Sequence, residues 1–219
     1  MAMFPMYVDL KGKQCLIVGG GRVAYRKAEI LLRFEADITI VAPELCSSII
    51  ALEEQEKVKI KKRTYISKDI KGCYLAVAAT SSRDVNELVY NDALENNIQV
   101  NVVDDPEKCT FIFPSLVKRG PLTIGITTSG AYPALSKKIR KISEEMFPED
   151  YSVIVEMLAD FRSRVRKSSL SQHEKQKVLS NILEEFYAKG DITPEILKTL
   201  LHQYEKTIQQ HINVRIKSI

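Results

Sequence analysis

An α/β fold built on a parallel sheet is predicted by three observations. From Lys13 to Val103, short β-rich runs alternate with helix-like segments, the pattern of parallel strands joined by crossover helices. The runs Cys15-Leu16-Ile17-Val18 and Leu75-Ala76-Val77-Ala78 are apolar without alternation, as strands buried on both faces are. Gly19-Gly20-Gly21-Arg22-Val23-Ala24 directly follows the first of these runs and opens a helix.

Taken in order, the predicted strands are Gln14–Val18, Asp37–Ala42, Val58–Arg63, Leu75–Ala79 and Gln99–Val103, and the helices between them are Val23–Phe34, Ser47–Gln55 and Asp84–Asn96. Two further strands, Thr110–Val117 and Leu122–Thr127, are expected around the turn Lys118-Arg119-Gly120-Pro121, because Gly-Pro marks a reversal of the chain. A helix then runs from Pro133 through Leu135, Ile139 and Ile142 to Met146, and Pro148 stops it. From Glu149 onward the strand signals fade. Apolar residues recur at helical spacing, as in Val153, Met157 and Phe161, then Val178, Ile182 and Phe186. Thr193-Pro194-Glu195 reads as an N-cap followed by Pro at the first helical position.

The 219 residues suffice for one large domain or two modest ones. A net charge of +4, spread along the chain with acids interleaved, is too small to argue for DNA binding, and no nucleic-acid partner is expected. No apolar run approaches the roughly 20 residues that span a bilayer. Met1 to Leu10 lacks a basic stretch followed by an apolar one, so a cytoplasmic location without a membrane partner is expected. Cys15, Cys46, Cys73 and Cys109 form no C-x-x-C pair. Cys15 and Cys73 fall in apolar strand-like runs and are expected as buried thiols.

The glycine run reads G-x-G-x-x-A between a strand and a helix, the context of a Rossmann-like dinucleotide site. Gly19 permits the tight turn, Gly21 lets the backbone approach a pyrophosphate, and Ala24 allows close packing of helix on strand. The helix N-terminus offers free N–H groups and a positive partial charge to phosphate. The second strand ends Val41-Ala42-Pro43 rather than in an acid, with Glu44 two residues later. Glu44 either reaches the adenosine ribose or begins the next helix as an exposed acid. No Arg stands there to receive a 2′-phosphate, which favours NAD over NADP.

Several runs in fixed order resemble one family. They are Phe4-Pro5-Met6-Tyr7-Val8-Asp9-Leu10, Leu16-Ile17-Val18 with the glycine loop, Arg26-Lys27-Ala28 and Ala78-Ala79-Thr80. Asn101-Val102-Val103-Asp104, Phe111-Ile112-Phe113-Pro114-Ser115, Thr128-Ser129-Gly130 and Pro133-Ala134-Leu135-Ser136 follow. Over Phe4 to Pro148 the chain resembles the N-terminal family of siroheme synthases, the precorrin-2 dehydrogenases. The resemblance implies a homodimer with an NAD-binding domain over residues 1–112, a small α+β dimerisation domain over 113–148 and a helical C-terminal domain over 149–219. It implies NAD held around Arg22-Val23 and Pro43-Glu44 and a role for the Thr128 hydroxyl; Ala79 and Thr80 are expected as further cofactor residues, and Ser129 and Lys137 as further substrate contacts. It further implies that Asp104 is the residue most important for catalysis, in the NAD-dependent oxidation of precorrin-2 to sirohydrochlorin.

Asp104 ends the last predicted sheet strand, where open α/β sheets place their ligands, and a carboxylate there can accept the proton released with hydride transfer. Outside the resemblance, Asp104-Asp105-Pro106 also reads as a solvated turn, and Asp105 is the alternative base. Precorrin-2 carries eight carboxylates, which Lys118, Arg119, Lys137, Lys138 and Arg140 are placed to meet. His173, His202 and His211 all fall in the helical tail and no ligand spacing is visible, so no metal site is expected. Three alternatives remain: a bifunctional dehydrogenase and ferrochelatase, a module that senses NAD without turnover, and another small-molecule dehydrogenase, against which only the family-specific runs argue. The sequence ends where a fused methyltransferase domain would begin, so methylation of the precursor is expected from another protein.

Overall fold

The computed structural model describes residues 3–217, and beyond residue 206 side chains are described only at Ile208. Contacts divide the chain into two compact units, one ending at Phe113 and the other beginning at Pro114.

In the first unit, β1 (Gln14–Val18), β2 (Asp37–Val41), β3 (Lys59–Lys61), β4 (Leu75–Ala78) and β5 (Gln99–Val102) form one sheet in the order β3-β2-β1-β4-β5. Every pairing is parallel. This is the Rossmann-like arrangement. Strand side chains alternate between faces, and β1 shows it directly. Cys15 and Ile17 join a core with Ala24, Ala28 and Leu31 of α1 (Arg22–Leu32) and Ile49 and Leu52 of α2 (Ser47–Glu54). Leu16 and Val18 join the opposite core with Val89 and Ala93 of α3 (Arg83–Glu95). The strand order reverses between β1 and β4, so the crevice at their carboxyl ends is the switch point at which such sheets bind ligands.

Three expectations in this unit need correction. The third strand is limited to Lys59–Lys61 rather than Val58–Arg63. Arg63 instead turns to the carboxylate of Asp69, at 2.7 and 2.6 Å. Thr110–Pro114 does not form a strand. Thr110 bonds to the backbone of Val100, the Phe111 and Phe113 rings pack on the α1 side of the sheet, and Pro114 has no N–H to offer a ladder. Cys73 stands before β4, half-buried, with its Sγ 3.6 Å from the Asp69 carbonyl. Cys15 is buried, and all four cysteines are free thiols.

The second unit opens with an antiparallel hairpin of β6 (Ser115–Arg119) and β7 (Leu122–Ile126). Lys118 and Arg119 belong to the strand, and the turn is Gly120-Pro121 alone, with Gly120 at φ +53. Four helices follow: α4 (Pro133–Met146), α5 (Tyr151–Lys167), α6 (Gln172–Ala188) and α7 (Pro194–Lys217). Ser171 and Glu174 cap α6 reciprocally, and the Thr193 hydroxyl accepts from the Ile196 N–H at the start of α7. The core of α5–α7 contains Ile154, Phe161, Val165, Ile182, Phe186, Leu197 and Leu200. Val153 faces outward, so the buried stripe of α5 runs through Ile154 instead. In α4 only Ser136 is buried.

Candidate functional site

At Gly19 and Gly20 the turn after β1 leaves no room for a side chain. Gly19 sits at φ +131, and a Cβ there would lie 2.3 Å from the Ala79 carbonyl oxygen. A Cβ on Gly20 would lie 1.8 Å from the carbonyl oxygen of Glu44, while the Gly20 carbonyl accepts from the Cys46 N–H at 2.8 Å. Gly20 was not among the predicted site residues. Its constraint comes from the loop after β2, a neighbour that no local spacing reveals. Gly21 differs, because a Cβ would meet nothing within 4 Å. Its backbone faces open space, as close approach by a ligand requires. Gly21 also supplies no capping side chain, so the first-turn amides of α1 are left for an anion.

These glycines line an open pocket of about 550 Å³ at the carboxyl edge of the sheet. Of the predicted cofactor residues, Gly19, Gly21, Pro43, Glu44, Ala79 and Thr80 line it. Arg22 and Val23 stand exposed on the first turn of α1 outside that lining, and Ala24 is fully buried where α1 packs on the sheet. Glu44 is exposed in the loop before α2, and no Lys or Arg lines the pocket. Thr80 is held by Asn86, whose side chain accepts from the Thr80 N–H at 3.2 Å and donates to its carbonyl at 3.1 Å. The pocket also includes Thr64, Tyr65 and Ser82, which the sequence reading missed. The Tyr65 hydroxyl donates to Asp92 at 2.7 Å in the core, and burial, with Asp92 second, pushes its pKa up. The buried Asp69 anchors the loop just before it, bonding Lys61, Arg63 and the Ile66 N–H. The Arg63 guanidinium holds that carboxyl well below the usual range.

Asp104 lies two residues beyond β5, exposed and at φ +63, a conformation that Asp tolerates better than most residues. Its position on the sheet edge is set by consecutive backbone bonds. The Val103 N–H donates to the Ala78 carbonyl at 2.9 Å, the Ala79 N–H to Val18 at 2.7 Å, and the Gly19 N–H to Val41 at 3.0 Å. Asp104 and the glycine turn therefore share the carboxyl edge of one sheet. The two neighbouring acids are not equivalent. Asp105 pairs with Lys108 at 3.4 Å, whereas Asp104 has no hydrogen-bond or ion-pair partner among the described residues.

Thr128, Ser129 and Lys137 lie in the second unit. The Thr128 hydroxyl accepts from the Tyr132 N–H, the Ser129 N–H donates to the Thr127 hydroxyl, and Lys137 is exposed on α4. Arg119 is committed to the Phe147 carbonyl and Glu149, Arg140 to Glu144, and Lys118 donates to the Gly120 carbonyl. Internal partners thus occupy three of the five cations expected to meet substrate. Among the described residues, no group of three or more His, Cys, Asp and Glu gathers as a metal site, and the side chain of His211 lies outside them. No helix among the described residues is long and apolar enough to cross a membrane.

Comparison with known proteins matches residues 6–115 to the family NAD_binding_7, described as "Putative NAD(P)-binding". The chain belongs to this family. The nicotinamide dinucleotide that the NAD(P)-binding family implies fits the pocket, because Gly21 leaves backbone room where a Cβ would otherwise project. Members of the curated set called siroheme synthase are similar along much of the chain. The protein of Vesicomyosocius okutanii is 34% identical over 97% of this chain and 46% of its own length. That of Pseudoalteromonas translucida is 40% identical over 76% of this chain and 35% of its own. This NAD(P)-binding chain thus spans less than half the length of those relatives. Among solved structures, SirC, a precorrin-2 dehydrogenase, superposes with a TM-score of 0.77 at 27% identity, covering 93% of this chain and 100% of that one.

Proposed function

We propose that the chain oxidises precorrin-2 to sirohydrochlorin, transferring a hydride to NAD and releasing a proton. The observation that carries this reading is the placement of Asp104, without an internal partner, on the sheet edge that also holds the glycine turn. The likeness to SirC along its whole length supports the choice of substrate. Bound in the pocket, NAD supplies the hydride acceptor. Gly19 and Gly20 shape the turn, Gly21 and the first-turn amides of α1 receive the pyrophosphate, and Ala79 and Thr80 border the same crevice. The Asp104 carboxylate accepts the proton, a role open to an acid within hydrogen-bond reach of its substrate. NAD is preferred to NADP because Glu44 lines the pocket and no cation does, so a 2′-phosphate would meet negative charge without a counter-ion.

Replacing Asp104 by Asn tests the base. Turnover, followed as NADH absorbance with precorrin-2, falls about hundredfold to ten-thousandfold, while NAD affinity measured separately stays near wild type. Retained turnover would remove Asp104 from the chemistry. NAD binding by the wild type without any NADH formation would favour the sensing module, and the siroheme spectrum appearing from Fe²⁺ and sirohydrochlorin alone would add chelatase activity.

We also infer a homodimer, a dimerisation role for residues 113–148, a separate helical domain over 149–219, and substrate contacts at Thr128, Ser129 and Lys137. The dimer is supported by the exposed apolar residues Leu135, Ile139, Ile142 and Met146 along α4, a face suited to a second copy. A cytoplasmic location accords with four free thiols.

A further inference from the structure

Lys27 has no part in the cofactor pocket, yet its surroundings are unusual for a lysine. It lies on α1 with its ammonium 3.9 Å from the centroid of the Phe113 ring. That ring is itself supported. Phe111 packs against it at 5.3 Å between centroids, and the buried Asn101 side chain donates to the Phe111 carbonyl at 3.1 Å. The aromatic shelf and the helix together leave Lys27 half-buried. Among the described residues its ammonium makes no hydrogen bond and no ion pair. An ammonium carries three donors, and withdrawing them from water without an acceptor is unfavourable. A ring face compensates only in part. Desolvation accordingly pulls the Lys27 pKa down, while Cys109 and Asp104 act on it electrostatically in the other direction. The cation is therefore near the proposed base and has spare donors.

We propose that Lys27 is a specificity residue that binds a carboxylate of the substrate, holding the macrocycle beside Asp104. The inference rests on the reading of the chain as a dehydrogenase of a polycarboxylate tetrapyrrole. An incoming carboxylate restores the hydrogen bonds that burial removed, and such charge-assisted bonds are strong where water is partly excluded. Phe113 fixes the ammonium so that little side-chain freedom is lost on binding. The run Arg26-Lys27-Ala28 thus acquires a function in its middle residue, with Ala28 packed into the core and Arg26 exposed.

The test uses the full chain with Lys27→Met and Lys27→Arg. Binding of uroporphyrin, with eight carboxylates, and coproporphyrin, with four, is titrated by fluorescence, and KM and kcat are measured with precorrin-2 and NAD. Lys27→Met raises the Kd for uroporphyrin and the KM for precorrin-2 by about tenfold to hundredfold, with a smaller change in kcat. Lys27→Arg recovers most of the loss, and NAD affinity is the same in all three proteins. A fall in kcat with KM and Kd unchanged overturns the proposal, as does equal uroporphyrin binding by Lys27→Met and wild type. A lowered melting temperature in both variants, with no rescue by Arg, also overturns it in favour of a packing role. Should the wild type bind uroporphyrin through Lys27 yet never oxidise precorrin-2, the dehydrogenase reading fails and the carboxylate anchor stands.

Discussion

Helix α1 buries Ala24, Ala28 and Leu31 against its own sheet, whereas α4 leaves Leu135, Ile139, Ile142 and Met146 exposed at 46, 38, 43 and 64%. Both helices carry apolar residues at the three- and four-residue spacing of a packing face. The first finds its complement within the same unit, because β1 and β2 turn Cys15, Ile17, Ile38 and Ile40 toward it. The second has the β6–β7 hairpin as its neighbour, and two strands cannot cover a fourteen-residue helix on more than one side. The difference teaches that α1 is covered within its own unit, whereas the apolar face of α4 is left exposed. We propose that a second copy covers that face.

Damage inside the first unit should therefore act independently of protein concentration, and damage to the α4 face should not. Gly20→Ala has the largest expected effect, since its Cβ would stand 1.8 Å from a backbone oxygen. A loss of about 3 kcal/mol is expected in urea denaturation, unchanged on dilution. The pair Leu135→Asp and Ile142→Asp should weaken self-association at least about hundredfold, or about 2.7 kcal/mol, read by sedimentation. A monomer in wild type at all concentrations would end the dimer assignment.

Asp69→Asn should cost about 2 kcal/mol at neutral pH, because it removes the charge that pairs with Lys61 and Arg63 and replaces one of the two acceptor oxygens by an NH2 donor. The folded-state pKa of Asp69 is depressed, so its contribution is fully present above the unfolded value of about 3.9 and is lost as pH falls through the folded one. Wild type and variant should thus converge in stability only in strong acid, well below about pH 4. The smallest effect on folding belongs to Gly21→Ala, within about 0.5 kcal/mol, since its Cβ enters open space. NAD binding should nevertheless weaken about tenfold, measured by fluorescence titration. Equal NAD affinity would place the pyrophosphate elsewhere.

Much of the first unit was legible in order of residues. Uninterrupted apolar runs marked β1 and β4 because both faces of a central strand are dry, and the glycine run stood in strand–turn–helix context. The edge strand β3 and the stretch Thr110–Pro114 were misread, since their β-like composition is outweighed by an ion pair to Asp69 and by ring packing. In α5, Val153 and Ile154 are adjacent and equally apolar, and periodicity gives the helix but not which of the two is buried. Gly21 and Glu44 were picked out by the glycine motif and the acid after the second strand, and Pro43 and Asp104 through the family resemblance. Gly20, Tyr65, Asn86 and Lys27 were not, because each owes its importance to a residue on another element.

The amino-acid order by itself determined the α/β architecture, the dinucleotide turn and the acid at the end of β5, because periodicity and backbone preference are local properties. Which acid stands without an internal partner, which glycine is crowded and which lysine is left on an aromatic shelf were decided only in the folded chain. Those properties depend on distances between segments far apart in sequence, and only packing sets such distances.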